Sequence, residues 1–232
     1  MGLGLLVFMC PFFVLGAIAQ MWLRSTFQRW AQVGTARGVS GAQVASAILR
    51  RNDVTDVAVE ASGGGALSDH YDPRSRIIRL SPEVYSGRSI AAAAVAAHET
   101  GHALQHATRY AALGLRSAAV PAAISADKVT FILILIGGML WRGGGNAGPW
   151  FLAAGVIYSA AVVLSIITLP VEFNASRRAL AQLRDGGIVT VPEADAARGV
   201  LTAAASTYVV AAIASIATMA YYLLLASAAR RQ

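Results

Sequence analysis

Residues 150–169 read WFLAAGVIYSAAVVLSIITL, twenty positions without a charge. A helix crossing a bilayer needs about 20 predominantly apolar residues, so this run predicts a membrane span. Working outward, the run Gly199 to Ala229 carries a second one from about Ala203 to Leu225, with Tyr221 and Tyr222 placed as interfacial aromatics. On the other side, Val129 to Trp141 is uncharged for only 13 residues between Lys128 and Arg142. It either extends toward Ser117, tolerating Asp127 and Lys128 near an interface, or is re-entrant. Met1 to Leu23 is the remaining run and ends at Arg24. Ala17-Ile18-Ala19 resembles a cleavage site, but no Lys or Arg precedes Arg24, so the basic start of a signal peptide is missing. An uncleaved anchor is expected, making four spans.

Composition agrees. Hydrophobic residues are 56% of the 232 and charged residues 13%, against about 45–50% and 25% in soluble domains. Mean hydropathy is +0.56, which argues against disorder and against an ordinary soluble globule. The net charge of +7 rests on 19 Lys+Arg, all but Lys128 being Arg. In so apolar a chain it points to anionic lipid rather than nucleic acid, since the arginines are dispersed and no recognition motif accompanies them. Cys10 is the one cysteine, which excludes a disulfide framework and a Cys-based metal site.

The arginines also predict an orientation. Arg24–Lys128 holds twelve Lys+Arg and Glu172–Arg198 holds four, against Arg142, Arg230 and Arg231 elsewhere. Sixteen against three puts both polar segments in the cytoplasm and both termini outside. The expected organisation is an anchor helix over 1–23, a cytoplasmic segment over 24–128, and membrane helices over 129–232 that include a polar stretch at 170–185.

Within the first polar segment, Ser40 is expected to cap a helix from Gly41 to Arg51 with Val44, Ala45, Ile48 and Leu49 on one face. Residues 55–80 read as a small hairpin-type sheet. Its pieces are Val57–Glu60, the glycine-punctuated stretch to Asp69, and Arg76–Leu80, with turn chemistry from His70 to Ser75. Ser81-Pro82-Glu83-Val84 starts another helix, with Ser as cap. From Ile90, AAAAVAAHETGHALQHA favours helix strongly. The glycine runs 63–65 and 143–145 read as flexible joints.

That last helix contains His98-Glu99-Thr100-Gly101-His102, an HExxH pattern. Four residues are slightly over one turn, so both imidazoles project from one face and can grip one metal ion. Glu99 is offset toward the open side of that ion, where it can take a proton from an attacking water and return it to a leaving amine. Two neutral imidazoles suit Zn²⁺, which needs a third protein ligand. His106 cannot supply it: eight residues from His98 is about 12 Å along the axis, against metal bonds near 2 Å. It supports a ligand from behind or lies on the helix surface. Asp127 is possible but begins a membrane run beside Lys128. Glu172 is better placed, just after Pro170 where the third span leaves the bilayer.

The runs DHYDPRSRIIRLSPEVYSGRSIAAAAVAAHETGHALQHA, LPVEFNASRRAL and AAASTYVVAA together resemble the YugP-like bacterial membrane zinc metallopeptidases over nearly the whole chain. The resemblance implies a mostly α membrane protein with a zincin-like HExxH helix and a small sheet. It implies His98, His102 and Glu172 as zinc ligands and Glu99 as catalytic base. The wider gluzincin pattern, which includes membrane peptidases like the CAAX prenyl proteases, commonly has Asp four residues after the ligand Glu. Ser176 stands there in this chain. Ser176 or Asn174 is therefore expected to orient an imidazole by a weaker bond than a carboxylate gives.

The expected function is zinc-dependent endopeptidase action on membrane or misfolded proteins at the bacterial inner membrane, with the active site on the cytoplasmic side. Extended substrate would add to a sheet edge at Gly65–Ser68 or Arg76–Leu80. His70, Tyr71, Arg178 and Tyr208 are unranked candidates for a donor to the developing oxyanion. The alternatives are a non-catalytic zinc-binding scaffold or pseudoprotease, for which Glu99 would be superfluous, and a channel or transporter with an intramembrane metal site. Protein or peptide substrate and membrane lipid are the expected partners, nucleic acid is not, and oligomeric state is left open.

Overall fold

The computed structural model describes residues 2–65 and 68–230. Among the described residues, seven helices and three short strands follow one another. They are α1 (Gly2–Ala31), α2 (Gly41–Arg51), β1 (Ala58–Ala61), β2 (His70–Asp72), β3 (Ile77–Leu80), α3 (Pro82–Tyr85), α4 (Ile90–Ala107), α5 (Ala111–Arg142), α6 (Gly148–Asp185) and α7 (Val191–Ala229). Helices α1, α5, α6 and α7 are each long and apolar enough to cross a bilayer. The protein is a mostly α membrane protein. Residues 129–141, too short alone, are the end of the 32-residue α5, which continues through Pro121.

Contacts divide the chain into two units. One comprises 1–18, 114–169 and 207–232; the other comprises 19–113 and 170–206. In the first, large apolar side chains such as Phe131, Met139 and Val156 are exposed, as lipid-facing helices require. Its interior is a small cluster around Phe151, Ala147 and Ala226. Ser165 and Ser215 share a hydrogen bond of 2.8 Å, satisfying two hydroxyls that apolar surroundings would otherwise penalise.

The second unit is built around α4. Alanines at 91–94, 96, 97 and 103 bury it nearly all round without needing wide spaces between elements. Ser89 caps it by accepting from the Ala92 N–H. Its neighbours are α2, α3, β2 and β3, and the shared core includes Ile48, Ile78, Leu80, Val84 and Leu183. Helix α2 begins as expected: Ser40 and Gln43 form a reciprocal capping box.

The sheet differs from a simple hairpin. Its order is β1-β3-β2, with β1 parallel and β2 antiparallel to β3. Arg76–Leu80 therefore contributes the central strand β3, not an edge. Among Gly65–Ser68, Ala66 and Leu67 lie outside the described residues, and Gly65 and Ser68 are not in a strand. His70-Tyr71-Asp72, expected as turn, is strand β2. The turn is tighter and comes after it: the Asp72 carboxylate accepts from the Arg74 N–H and the Ser75 hydroxyl, closing the chain in three residues. Ser81 stands at the N-cap of α3, as expected, but its side chain makes no capping bond. Its N–H and hydroxyl both donate to Asp69, tying the start of β2 to the end of β3.

Candidate metal centre

Helix α4 presents His98 and His102 on one face, and the last part of α6 brings Glu172 to them. Close approach is possible because Gly101, between the histidines, has no side chain. A Cβ there would lie 2.5 Å from the Ala175 carbonyl oxygen, one turn after Glu172. The glycine in HETGH thus sets the distance between α4 and α6.

The result is a group of three donors, His98, His102 and Glu172, with one ligand atom of each within 4.8 Å of the others. His98 Nε2 is 3.2 Å from Glu172 Oε2, and His102 Nε2 is 3.5 Å from the same oxygen. His102 and Glu172 are buried, while His98 is half-buried. Two imidazole nitrogens and one carboxylate oxygen converging at this spacing match the donor set of a zinc site with an open position. Asp127, the other candidate considered for the third position, is not in this group.

The two imidazoles are held in different ways. His102 Nδ1 is 3.0 Å from Gln105 Oε1. The Gln105 amide cannot be turned over, because its Nε2 donates to the Val171 carbonyl at 2.7 Å and to Asn174 Oδ1 at 3.1 Å. Asn174 is fixed in turn, since Arg178 Nε, which can only donate, reaches the same Oδ1 at 2.9 Å. Gln105 Oε1 is therefore an acceptor, His102 Nδ1 carries a proton, and Nε2 is the nitrogen directed at Glu172. His98 Nδ1 has one partner among the described residues, the Ser176 hydroxyl at 3.2 Å. Of the two residues expected to orient an imidazole, Ser176 does so directly and Asn174 does so through Gln105.

Glu99 is half-buried, and its Oε2 accepts the Tyr71 backbone N–H at 3.0 Å. An outward N–H identifies the outer edge of β2, since in an antiparallel pair each residue points both main-chain groups one way. Tyr71 also ties down His106, whose Nδ1 is 2.7 Å from the phenol oxygen. His106 thus supports the sheet rather than a ligand. Burial pushes the Asp69 carboxyl up; the Ser81 bonds pull it partly back, and the Glu99 charge adds to the rise. Of the oxyanion candidates, His70 is exposed with Nδ1 against the Ser68 carbonyl. Arg178 is bonded to Asn174, and Tyr208 belongs to α7.

Gln105, Asp69 and the Tyr71 main chain were not singled out for these roles by sequence. Gln105 left a signal: an uncharged polar residue three positions after His102, on the same face of an apolar helix.

The comparisons bear on what this arrangement is for. Residues 5–227 match the model of a family described as "Putative neutral zinc metallopeptidase". The chain is similar to the protein named "Putative membrane protease YugP" of Bacillus subtilis (strain 168), with 46% identity over 199 residues, 85% of each chain. No solved structure matches. With that coverage and that identity, the chain belongs to the family described as "Putative neutral zinc metallopeptidase".

Proposed function

We propose that the protein is a zinc-dependent membrane endopeptidase in which His98, His102 and Glu172 hold the metal and Glu99 is the general base. The observation that carries the reading is the convergence of those three donors beside a carboxylate held by a strand edge. His98, His102 and Glu172 would hold a zinc ion that, when bound, would supply Lewis-acid polarisation of a scissile carbonyl and a lowered pKa of water. The chain's own groups do the rest. The Tyr71 N–H fixes Glu99 Oε2, which leaves Oε1 to take the proton of the attacking water and hand it to the leaving amine. Gln105 and Ser176 keep the imidazoles in register with Glu172.

The outer edge of β2 gives substrate a place to lie. The Tyr71 carbonyl shares the direction of its N–H, so an extended peptide gains a main-chain bond there with little dependence on sequence. This suits protein substrates presented at a membrane, including misfolded ones. The Arg and Lys distribution supports a cytoplasmic active site at a bacterial inner membrane.

The test is proteolysis by purified protein in detergent or lipid discs, before and after a chelator and after zinc is restored. Cleavage should stop on chelation and return with zinc, at one zinc per chain. Cleavage indifferent to chelation would sink the metallopeptidase reading. Bound zinc with no cleavage of any protein or peptide would favour the non-catalytic scaffold.

A further inference from the structure

Asp127 and Lys128 are both exposed on α5, and among the described residues neither is in an ion pair. Their depth follows from the packing of α5 on α6. Gly137 lies against Phe151, since a Cβ on that glycine would stand 2.6 Å from the Phe151 ring. Only residues 143–147 join the two helices, a connection short enough to make them antiparallel neighbours. Asp127 is about 15 Å along α5 from Gly137. The same distance along α6 from Phe151 reaches Ala161, the middle of the uncharged run 150–169. Tyr158, inside that run, lies within electrostatic reach of Asp127. Both charges are therefore near the centre of the span, where unpaired charge is costly.

Helical period arranges both charges around one stripe. With Phe131 as origin and about 100° per residue, Ile124 falls at about 20°, Leu135 at about 40°, Lys128 at about 60° and Asp127 at about −40°. Ile124, Phe131 and Leu135 are exposed, as the two charged residues are. The charges thus flank an apolar stripe, one on each side. The buried residues of α5, Ala123, Ala126, Thr130 and Gly137, fall between about −80° and −140°. The stripe is therefore turned away from the protein's own helices. Lipid accounts for exposed apolar side chains at this depth. It does not account for an acid and a base on either side of them.

We propose that this stripe is the contact with a second copy of the chain, α5 against α5 within the membrane. Copies of one chain insert in the same direction, so the two helices run parallel about a two-fold axis along the membrane normal. That symmetry sets the flank carrying Asp127 opposite the flank carrying Lys128 of the partner subunit, as flanking positions of a parallel coiled coil face each other. The two differ in depth by only about 1.5 Å. Two reciprocal ion pairs then neutralise all four charges. A different membrane protein would need its own acid and base at matching depth, whereas a second copy brings them by symmetry. The proposal does not depend on the peptidase reading.

Cysteine crosslinking of the full chain in its membrane tests this. In a Cys10→Ser background, Phe131→Cys places a thiol at the centre of the stripe. Val129→Cys, at an exposed position of nearly the same depth, places one about 160° away. With copper–phenanthroline as oxidant, Phe131→Cys should give a species of twice the chain mass, and Val129→Cys should not. Asp127→Lys or Lys128→Asp, added to Phe131→Cys, sets like charges against each other, and each alone should lose most of the crosslink. Co-expressed with different tags, the two should regain it as a mixed dimer, because every Lys then faces an Asp. No crosslink at Phe131, or equal crosslinking at both positions, would overturn the proposal. So would a Phe131 adduct with a protein of another mass, or a crosslink indifferent to the charge reversals. A loss that co-expression leaves in place, by variants present in the membrane, would overturn it too. The cysteine comparison keeps both charges intact, so it decides the matter even where a reversed variant fails to insert.

Discussion

The two sides of the metal centre are built to different standards. On one side His102 is buried, and its tautomer is imposed by Gln105, whose amide is locked by Val171, Asn174 and Arg178. On the other side His98 is half-buried and leans on one rotatable hydroxyl. A hydroxyl donates or accepts as its neighbour demands, so Ser176 orients the ring without dictating which nitrogen carries the proton. On the proposed reading, the contrast separates a rigid ligand, which would set the position of the metal, from an adaptable one on the same helix as Glu99.

The largest effect should come from removing ligands from either side. His98→Ala and His102→Ala should each lose zinc and turnover together, because two remaining donors hold the ion poorly. Metal analysis of the purified variants checks this, and retention of zinc by either would break the assignment of that side.

Next comes the rigid side's scaffold. Gln105→Ala leaves the His102 Nδ1–H without its buried acceptor, at about 1–3 kcal/mol. Zinc affinity should fall about 10- to 100-fold. Gln105→Glu should not rescue it, although a carboxylate is the commoner partner of a ligand imidazole. Here a carboxylate would point one oxygen at two acceptors, the Val171 carbonyl and Asn174 Oδ1. Zinc affinity above that of the unaltered protein would show that the amide is not locked. Competition with a chelator of known affinity measures both variants.

Ser176→Ala tests the adaptable side and should cost about tenfold or less in zinc affinity. A loss as large as that of Gln105→Ala would erase the contrast. The smallest effect should come from the turn after β2. The Ser75 hydroxyl and the Arg74 N–H hold the Asp72 carboxyl down to about 2 from the ordinary 3.8. A lowered folded-state pKa stabilises the protein above the unfolded value. That contribution should be intact above pH 3.8 and disappear as pH falls toward about 2. Thermal unfolding of Asp72→Ala against the unaltered protein should therefore differ at neutral pH and converge in acid.

These differences also mark what the sequence could disclose. The HExxH spacing, the spans, the Ser40 cap and the position of Glu172 are written in local pattern, where helical period or a run of apolar residues is enough. Ser176 was singled out through the resemblance, which implies a partner for an imidazole four residues after Glu172. The central place of β3 was not, because β1 pairs with it in parallel across the intervening β2 hairpin, a long-range choice that no window of residues encodes. Strand β2 escaped for another reason. It has three residues, and His-Tyr-Asp before Pro73 reads as turn until Ile77, Ile78 and Arg79 are seen to pair with it. With β2 hidden, the anchor of Glu99 on the Tyr71 N–H was hidden too.

On the proposed reading Glu172 holds metal whereas Glu99 only moves protons, and one paired measurement separates the two roles. Zinc content and peptide turnover are determined together for Glu172→Ala and Glu99→Gln. Glu172→Ala should lose zinc and therefore turnover. Glu99→Gln keeps the shape of the side chain and should retain one zinc per chain while turnover falls about 10²-fold or more. Zinc retained by Glu172→Ala, or undiminished turnover in Glu99→Gln, would contradict the account.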